Sequence, residues 1–281
     1  MTSVLSVGCL ARGMTGTDTV TTTVEDGVLT VTLDRPDKHN AMTPGMWRAV
    51  TEAVERATRE GARAVVLRGT GDVFCAGDDI GALAGIESDR DVRRLVETLT
   101  DCFDAIEAAP VPVVGRADGP AYGGGFELLL AADLAVVPED ATFGLPETRI
   151  GVIPLYAARR LSQLVGRQRA ADLALAGREL TGAEAVDWGL FARAVPRDRL
   201  DRAVADLLAG LEESAPEAVA TTKAWLNAPF RSGTERVGMR TGLGHLFAGP
   251  DAREGVEAFL AGRKPEFADS GFSDAETARD T

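Results

Sequence analysis

Apolar and polar positions alternate from Val28 to Leu33: Leu29, Val31 and Leu33 fall on one side, Val28, Thr30 and Thr32 on the other. A period of two predicts a strand, which Arg35-Pro36-Asp37 ends. Thr43-Pro44 then supplies an N-cap and a first-turn proline. Met46, Val50, Ala53, Val54 and Ala57 continue as one apolar stripe at helical spacing, stopped by Gly61. Ala64-Val65-Val66-Leu67 is wholly apolar, as expected of a strand buried on both faces of a parallel sheet. Val111-Pro112-Val113-Val114 and Leu134-Ala135-Val136-Val137 repeat that pattern. Between these runs, Val92, Leu95, Val96, Leu99, Cys102, Phe103 and Ile106 form the cleanest amphipathic helix in the chain. Strands separated by helices predict βαβ units and an α/β fold.

Thr181-Gly182-Ala183-Glu184 has the form of a capping box opening a helix. Beyond about Arg197 the strand patterns cease, and 201–211, 216–227 and 250–262 all read as helices. Residues 1–18 have no period and read as a disordered tail, and 269–281 as a frayed one. The expected organisation is an α/β core over 19–197 followed by a helical region over 198–268.

Charge narrows the classes of partner. Against 30 Lys and Arg stand 43 Asp and Glu, a net charge of −13 in 281 residues. A nucleic-acid partner is not expected, because phosphate neutralisation needs a basic face. Apolar residues make up 45% and charged residues 26%, the mix of a globular protein. No apolar run is long enough for a membrane-spanning helix, and Met1 to Leu10 lacks the basic start of a secretory signal. The cytoplasm is the simplest address. Three cysteines and two histidines at these spacings match neither a disulfide framework nor a zinc motif, so no metal is expected.

The informative chemistry lies where strands end. Gly119-Pro120-Ala121-Tyr122-Gly123-Gly124-Gly125-Phe126-Glu127 reads as strand, glycine turn, then helix. Bare backbone at a helix start offers unpaired N–H groups at the positive end of the dipole, which suits an anion or a developing oxyanion. The same glycines also suit close helix–sheet packing, and the sequence leaves both readings open. Neither a dinucleotide fingerprint nor a P-loop is present. Glu127 follows inside an otherwise apolar helix, and Glu147 sits in Phe143-Gly144-Leu145-Pro146-Glu147. Two glutamates beside a bare turn point to acid/base chemistry, or else to solvated surface charges.

Five segments in order resemble the crotonase (enoyl-CoA hydratase/isomerase) superfamily. They are Leu33-Asp34-Arg35-Pro36-Asp37-Lys38-His39-Asn40-Ala41, Phe74-Cys75-Ala76-Gly77-Asp78-Asp79-Ile80, Gly119 through Glu127, Phe143 through Glu147 with Gly151-Val152-Ile153-Pro154, and Asp251 through Phe267. The resemblance implies a spiral of ββα units with a C-terminal helical trimerisation region, assembled as a homotrimer or a hexamer. It implies an acyl-CoA substrate, with coenzyme A as part of the thioester, and no metal or redox cofactor. Carried over by position, the N–H groups of Ala76 and Gly124 form the oxyanion hole, and Glu127 and Glu147 are the catalytic pair. Arg35 and Lys38 fall where CoA phosphates are met. Ala41, Asp78, Asp79 and Ile80 lie in substrate-facing segments, Phe259 matches an aromatic that reaches a neighbouring subunit's site, and Lys264 or Arg263 stands near a CoA-contacting lysine position held here by Gly262.

Retention of both glutamates implies a lyase that adds water across the 2,3 double bond of an enoyl-CoA, or runs the reverse dehydration. Double-bond isomerisation, decarboxylation, dehydration of a carnitinyl-type substrate and a non-catalytic binding role are the alternatives. Two departures stand out. Asp78 stands where a small residue is common in the family, and Leu155-Tyr156-Ala157-Ala158 stands where typical hydratases have a glycine-rich stretch that helps hold the water. Tyr156 either presents its hydroxyl to the site or packs. Cys75 lacks a neighbouring base, so a nucleophilic role is not expected. His39 and His245 read as structural, Asp133, Glu139 and Asp140 as caps and loop charges, and Trp47, Trp188 and Trp225 as packing residues.

Overall fold

The computed structural model describes residues 19–228, 250–263 and 265–267. The two tails, Lys264 and His245 lie outside them. β1 (Val20–Glu25) pairs antiparallel with β2 (Val28–Leu33) through a tight turn at Asp26-Gly27. From β2 onward the sheet is parallel. It continues through β3 (Ala64–Gly69), β4 (Val113–Arg116), β6 (Leu134–Pro138) and β9 (Arg193–Val195), in the order β1-β2-β3-β4-β6-β9. Three shorter strands, β5 (Ala121–Tyr122), β7 (Thr142–Gly144) and β8 (Glu179–Thr181), form a second sheet.

Both faces of the large sheet are covered, which is why its central strands carry no polar alternation. On one face lie α1 (Pro44–Arg59), α3 (Asp89–Ala108) and α4 (Gly124–Ala131), which bury Trp47, Phe103 and Phe126 against Val65, Leu67 and Val113. On the other, α8 (Leu200–Glu212) sets Leu200, Val204 and Leu207 against Val66, Val114 and Val136. The two sets of strand residues alternate along β3 and β4, as the period of a strand requires.

Start signals in the sequence are realised as hydrogen bonds. Thr43 Oγ1 accepts from Met46 N at 3.2 Å to open α1. Thr181 and Glu184 form both halves of the capping box at α7 (Gly182–Asp187). α9 (Pro216–Asn227) is anchored by Lys223, whose Nζ donates to the carbonyls of Ile106 (2.8 Å) and Val111 (3.0 Å) and pairs with Asp133 at 2.7 Å. Asp133 is therefore not a loop charge but the partner of a buried ammonium. It also accepts from Val113 N, fixing the start of β4. α10 (Pro250–Ala261) ends the described chain's regular structure.

Candidate active site

The turn into α4 resolves the two readings of its glycines, one glycine at a time. Gly123 has φ 53° and ψ −130°, a conformation that favours glycine. A Cβ on Gly125 would stand 2.4 Å from the Cys75 carbonyl oxygen, so this glycine serves close packing. A Cβ on Gly124 would stand 2.8 Å from the Trp47 ring and 3.3 Å from Asp78 Oδ2, and one on Gly123 would stand 3.1 Å from Glu147 Oε1. These two glycines separate carboxylates from main chain.

The Ala76 N–H donates to the His39 carbonyl at 2.9 Å, so the amide expected as an oxyanion donor is committed to the fold. Two residues on, the geometry differs. Gly77 C=O accepts from Met42 N at 2.7 Å and Asp79 N–H donates to Met42 C=O at 2.9 Å. A trans peptide points its N–H opposite to its C=O, so the Asp78 N–H faces away from Met42. Among the described residues neither Asp78 N–H nor Gly124 N–H donates a hydrogen bond. Gly77, at φ 97°, brings the two segments together: a Cβ there would lie 3.5 Å from Gly124 N.

Glu127 and Glu147 flank this turn. Glu127 is 3% exposed, and its Oε1 accepts from both Tyr156 N and Ala157 N at 2.8 Å, at the start of α5 (Ala157–Val165). Main-chain donors thus orient it from a stretch that has no glycine. Glu147 opens a short 3-10 turn and is 9% exposed, with neither carboxylate oxygen hydrogen-bonded. Burial raises Glu127 from 4.5 to about 8, reinforced by the charges of Glu147 and Asp78 and opposed by the Ala157 N–H. Burial likewise raises Glu147 to about 7, with Asp78 adding to it. Two buried carboxyls whose ionisation is held back by burial suit general acid/base work near neutrality.

Trp47 is not only a packing residue. Its Nε1 donates to Asp78 Oδ1 at 2.8 Å, a contact that no sequence period signals. Asp78 and Trp47 reach a groove of about 220 Å³ between α1, α2 (Ile80–Ala84) and α3, whose walls include Met42, Leu83, Ile86 and Leu95. Tyr156 stacks on Phe103 (centroids 4.6 Å apart), and its hydroxyl donates to Glu107 at 2.6 Å. The hydroxyl is thereby engaged, and the part of Tyr156 that serves the site is its N–H.

The remaining expected contacts divide. Arg35 Nη1 donates to Ala41 O (2.9 Å) and pairs with Asp79 Oδ2 (2.7 Å), while Asp79 Oδ1 caps α2 through Ala82 N, so this pair braces the loop. Lys38 and Ile80 are exposed. Phe259 lies in α10, but its side chain is outside the described part, as is all of Lys264. Cys75 is buried and pushed up to about 12 by that burial, which makes it inert. Trp225 is 44% exposed rather than packed, whereas Trp188 packs against the core as expected, with the guanidinium groups of Arg169 and Arg178 each 4.9 Å from its ring. Among the described residues no group of three His, Cys, Asp or Glu side chains could hold a metal ion, and no helix is long and apolar enough to cross a membrane.

The chain resembles known proteins over most of its length. It is 35% identical over 252 residues to a protein of Rhodobacter capsulatus named "Probable enoyl-CoA hydratase", covering 87% of this chain and 95% of the relative. A Bacillus subtilis protein of the same name is 31% identical over 251 residues, covering 87% and 96%. The crystal structure of an enoyl-CoA hydratase from Mycobacterium smegmatis superposes with a TM-score of 0.84 at 30% identity, over 88% of this chain and 98% of that one. The sequence model of the family described as enoyl-CoA hydratase/isomerase matches residues 23–270, and the chain belongs to that family.

Proposed function

We propose that the protein hydrates a 2-enoyl-CoA thioester, or runs the reverse dehydration, with Glu127 and Glu147 as the acid/base pair. The observation that carries this reading is the pairing of two buried carboxyls, one oriented by two N–H groups and one without a partner, around the Gly123-Gly124 turn. The thioester oxygen accepts from the N–H groups of Gly124 and Asp78, which replace the expected Gly124–Ala76 pair. Fixed donors stabilise the enolate-like charge without reorganisation, and each such donor is worth about 10²–10³ in rate.

Reaction proceeds from the one-proton form in which Glu147 is protonated and Glu127 ionised: Glu127 takes a proton from the water as the water oxygen bonds to Cβ. Glu147 gives a proton to Cα. The pair therefore begins and ends with one proton, shifted from one carboxyl to the other, and no redox partner or metal is needed. Coenzyme A enters as part of the substrate. The same reading includes assembly into trimers or hexamers, supported by Ile150 and Ile153, 58% and 66% exposed in the segment after Glu147.

Loss of the conjugated enoyl-thioester absorbance on adding enzyme tests the activity. Glu127→Gln and Glu147→Gln should each lower turnover by about 10²–10⁴ while CoA-ester binding survives. Turnover unchanged in both variants would refute the two-glutamate mechanism, and light scattering of the purified protein tests the assembly.

A further inference from the structure

The thioester site as proposed above contains one charged group that hydration does not use. Asp78 contributes a main-chain N–H to the proposed oxyanion hole, yet its own carboxylate sits beside that hole. Oδ1 is tied to Trp47 Nε1. Oδ2 accepts no hydrogen bond among the described residues and lies next to Gly124, on the wall of the groove between α1, α2 and α3. A bare carboxylate there opposes the negative charge that develops on the thioester oxygen, so it needs a reason to persist.

Glu147 supplies a second, independent observation. It is 9% exposed, both its oxygens lack a partner, and Oε1 points at Gly123, the glycine next to the one that Asp78 touches. Among the described residues none of Asp78, Glu127 and Glu147 is paired with a cation; their partners are indole and main-chain N–H groups alone. Arg48 and Arg94, which also line the groove, are exposed and pair with none of the three among the described residues, and the two glutamates are taken up by the proposed proton transfer, so Asp78 Oδ2 is the acceptor that hydration leaves open. A plain alkyl chain does not satisfy Oδ2, and burying it against this oxygen leaves the oxygen unpaired. A hydrogen-bond donor on the acyl group satisfies Oδ2.

We infer that Asp78 is a specificity-determining residue that accepts a hydrogen bond from a hydroxyl or ammonium group on a short acyl chain, so that the preferred substrate is a donor-substituted acyl-CoA rather than a simple alkyl one. Because the carboxylate and the oxyanion N–H belong to the same residue, the donor lies close to the thioester and not at the end of a long chain. This rests on the acyl-CoA reading of the site, and deepens it.

Three thioesters of equal size separate the possibilities: E-2-pentenoyl-CoA, E-4-hydroxy-2-butenoyl-CoA and E-4-amino-2-butenoyl-CoA differ only in CH₃, OH or NH₃⁺. Wild type should favour one or both polar esters over pentenoyl-CoA in kcat/KM by about tenfold to a hundredfold, the worth of a hydrogen bond to a charged group. The larger factor between the two tells hydroxyl from ammonium recognition. Asp78→Ala should abolish the preference and improve relative use of pentenoyl-CoA, and Asp78→Asn, whose Oδ1 can still accept from Trp47 while its Nδ2 can only donate, should abolish preference for the ammonium ester, with folding checked by thermal melting. If wild type hydrates none of the three, the hydratase reading is what fails. The thioesters are then plain ligands, and the same preference is read as a ratio of Kd values by calorimetry. Equal or better use of pentenoyl-CoA by wild type, or a preference that survives in both folded variants, overturns the role of Asp78.

Discussion

Glu127→Gln should make the protein more stable and nearly inactive, and the gain should depend on pH. Glu127 is raised from 4.5 to about 8 chiefly by burial. Between those values the native state binds a proton that the unfolded chain has released, so stability falls as pH rises through this window. At ~1.4 kcal/mol per pH unit, ionising the buried carboxyl costs on the order of 5 kcal/mol more in the folded protein. Glutamine keeps an oxygen for Tyr156 N and Ala157 N, but its amide brings an N–H without an evident acceptor, which takes back ~1–3 kcal/mol. The net gain at about pH 9 is therefore ~2–4 kcal/mol, or roughly 5–15 °C in Tm; toward pH 4.5 the linkage contribution vanishes and only the amide's cost remains, so there the variant should be ~1–3 kcal/mol less stable than wild type. Melting curves of wild type and variant across that range measure it directly. A variant no more stable than wild type at pH 9, or a gain that does not change with pH, refutes the claim that Glu127 resists ionisation in the folded state.

Gly124→Ala should lower hydration by about 10² or more, because its Cβ would press on Trp47 and the Asp78 carboxylate beside the donor N–H. Gly125→Ala should instead show as lost stability of ~1–3 kcal/mol in chemical denaturation, since its Cβ meets the Cys75 carbonyl. Tyr156→Phe removes the hydroxyl from Glu107 and should cost ~1–3 kcal/mol; kcat should stay within a few fold, as the N–H that orients Glu127 remains. Lys223→Met leaves Asp133 without its ammonium and should cost ~3–5 kcal/mol in urea melts.

The framework was legible because it rests on short-range chemistry. The apolar runs at 64–67, 111–114 and 134–137 became adjacent parallel strands, and the caps at Thr43 and Thr181 formed as spelled. Strands of two or three residues such as β5 and β8 carry too few positions for a period to show. The ion pair of Lys223 with Asp133 joins residues 90 positions apart in the numbering, and nothing local to either one hints at it. The glutamates could be singled out because a charge inside an apolar helix or before a glycine turn is conspicuous. The partner of Asp78 could not, because the helical stripe of α1 accounts for Trp47 equally well as filler.

The proposed shift of the oxyanion donor from Ala76 to Asp78 shows why main-chain donors are harder to read than side chains. A side chain is written in its letter, but the direction of an N–H depends on which carbonyl its neighbour meets. Here the bridge between Met42 and Asp78 decides it: Gly77 C=O turns toward Met42, and the next N–H must turn away. That bridge exists because Asn40, buried at φ 55°, ties its loop to the carbonyls of Thr70, Val73 and Phe74. The same logic explains how Tyr156 and Ala157 serve where glycines were expected. Orienting Glu127 requires two N–H groups at a helix start, and any residue but proline brings one. Sequence departures at such positions change what lines the pocket without removing the donors. On the proposed reading, selection among substrates moves to the side chain of Asp78 while the N–H groups beside it stay in place.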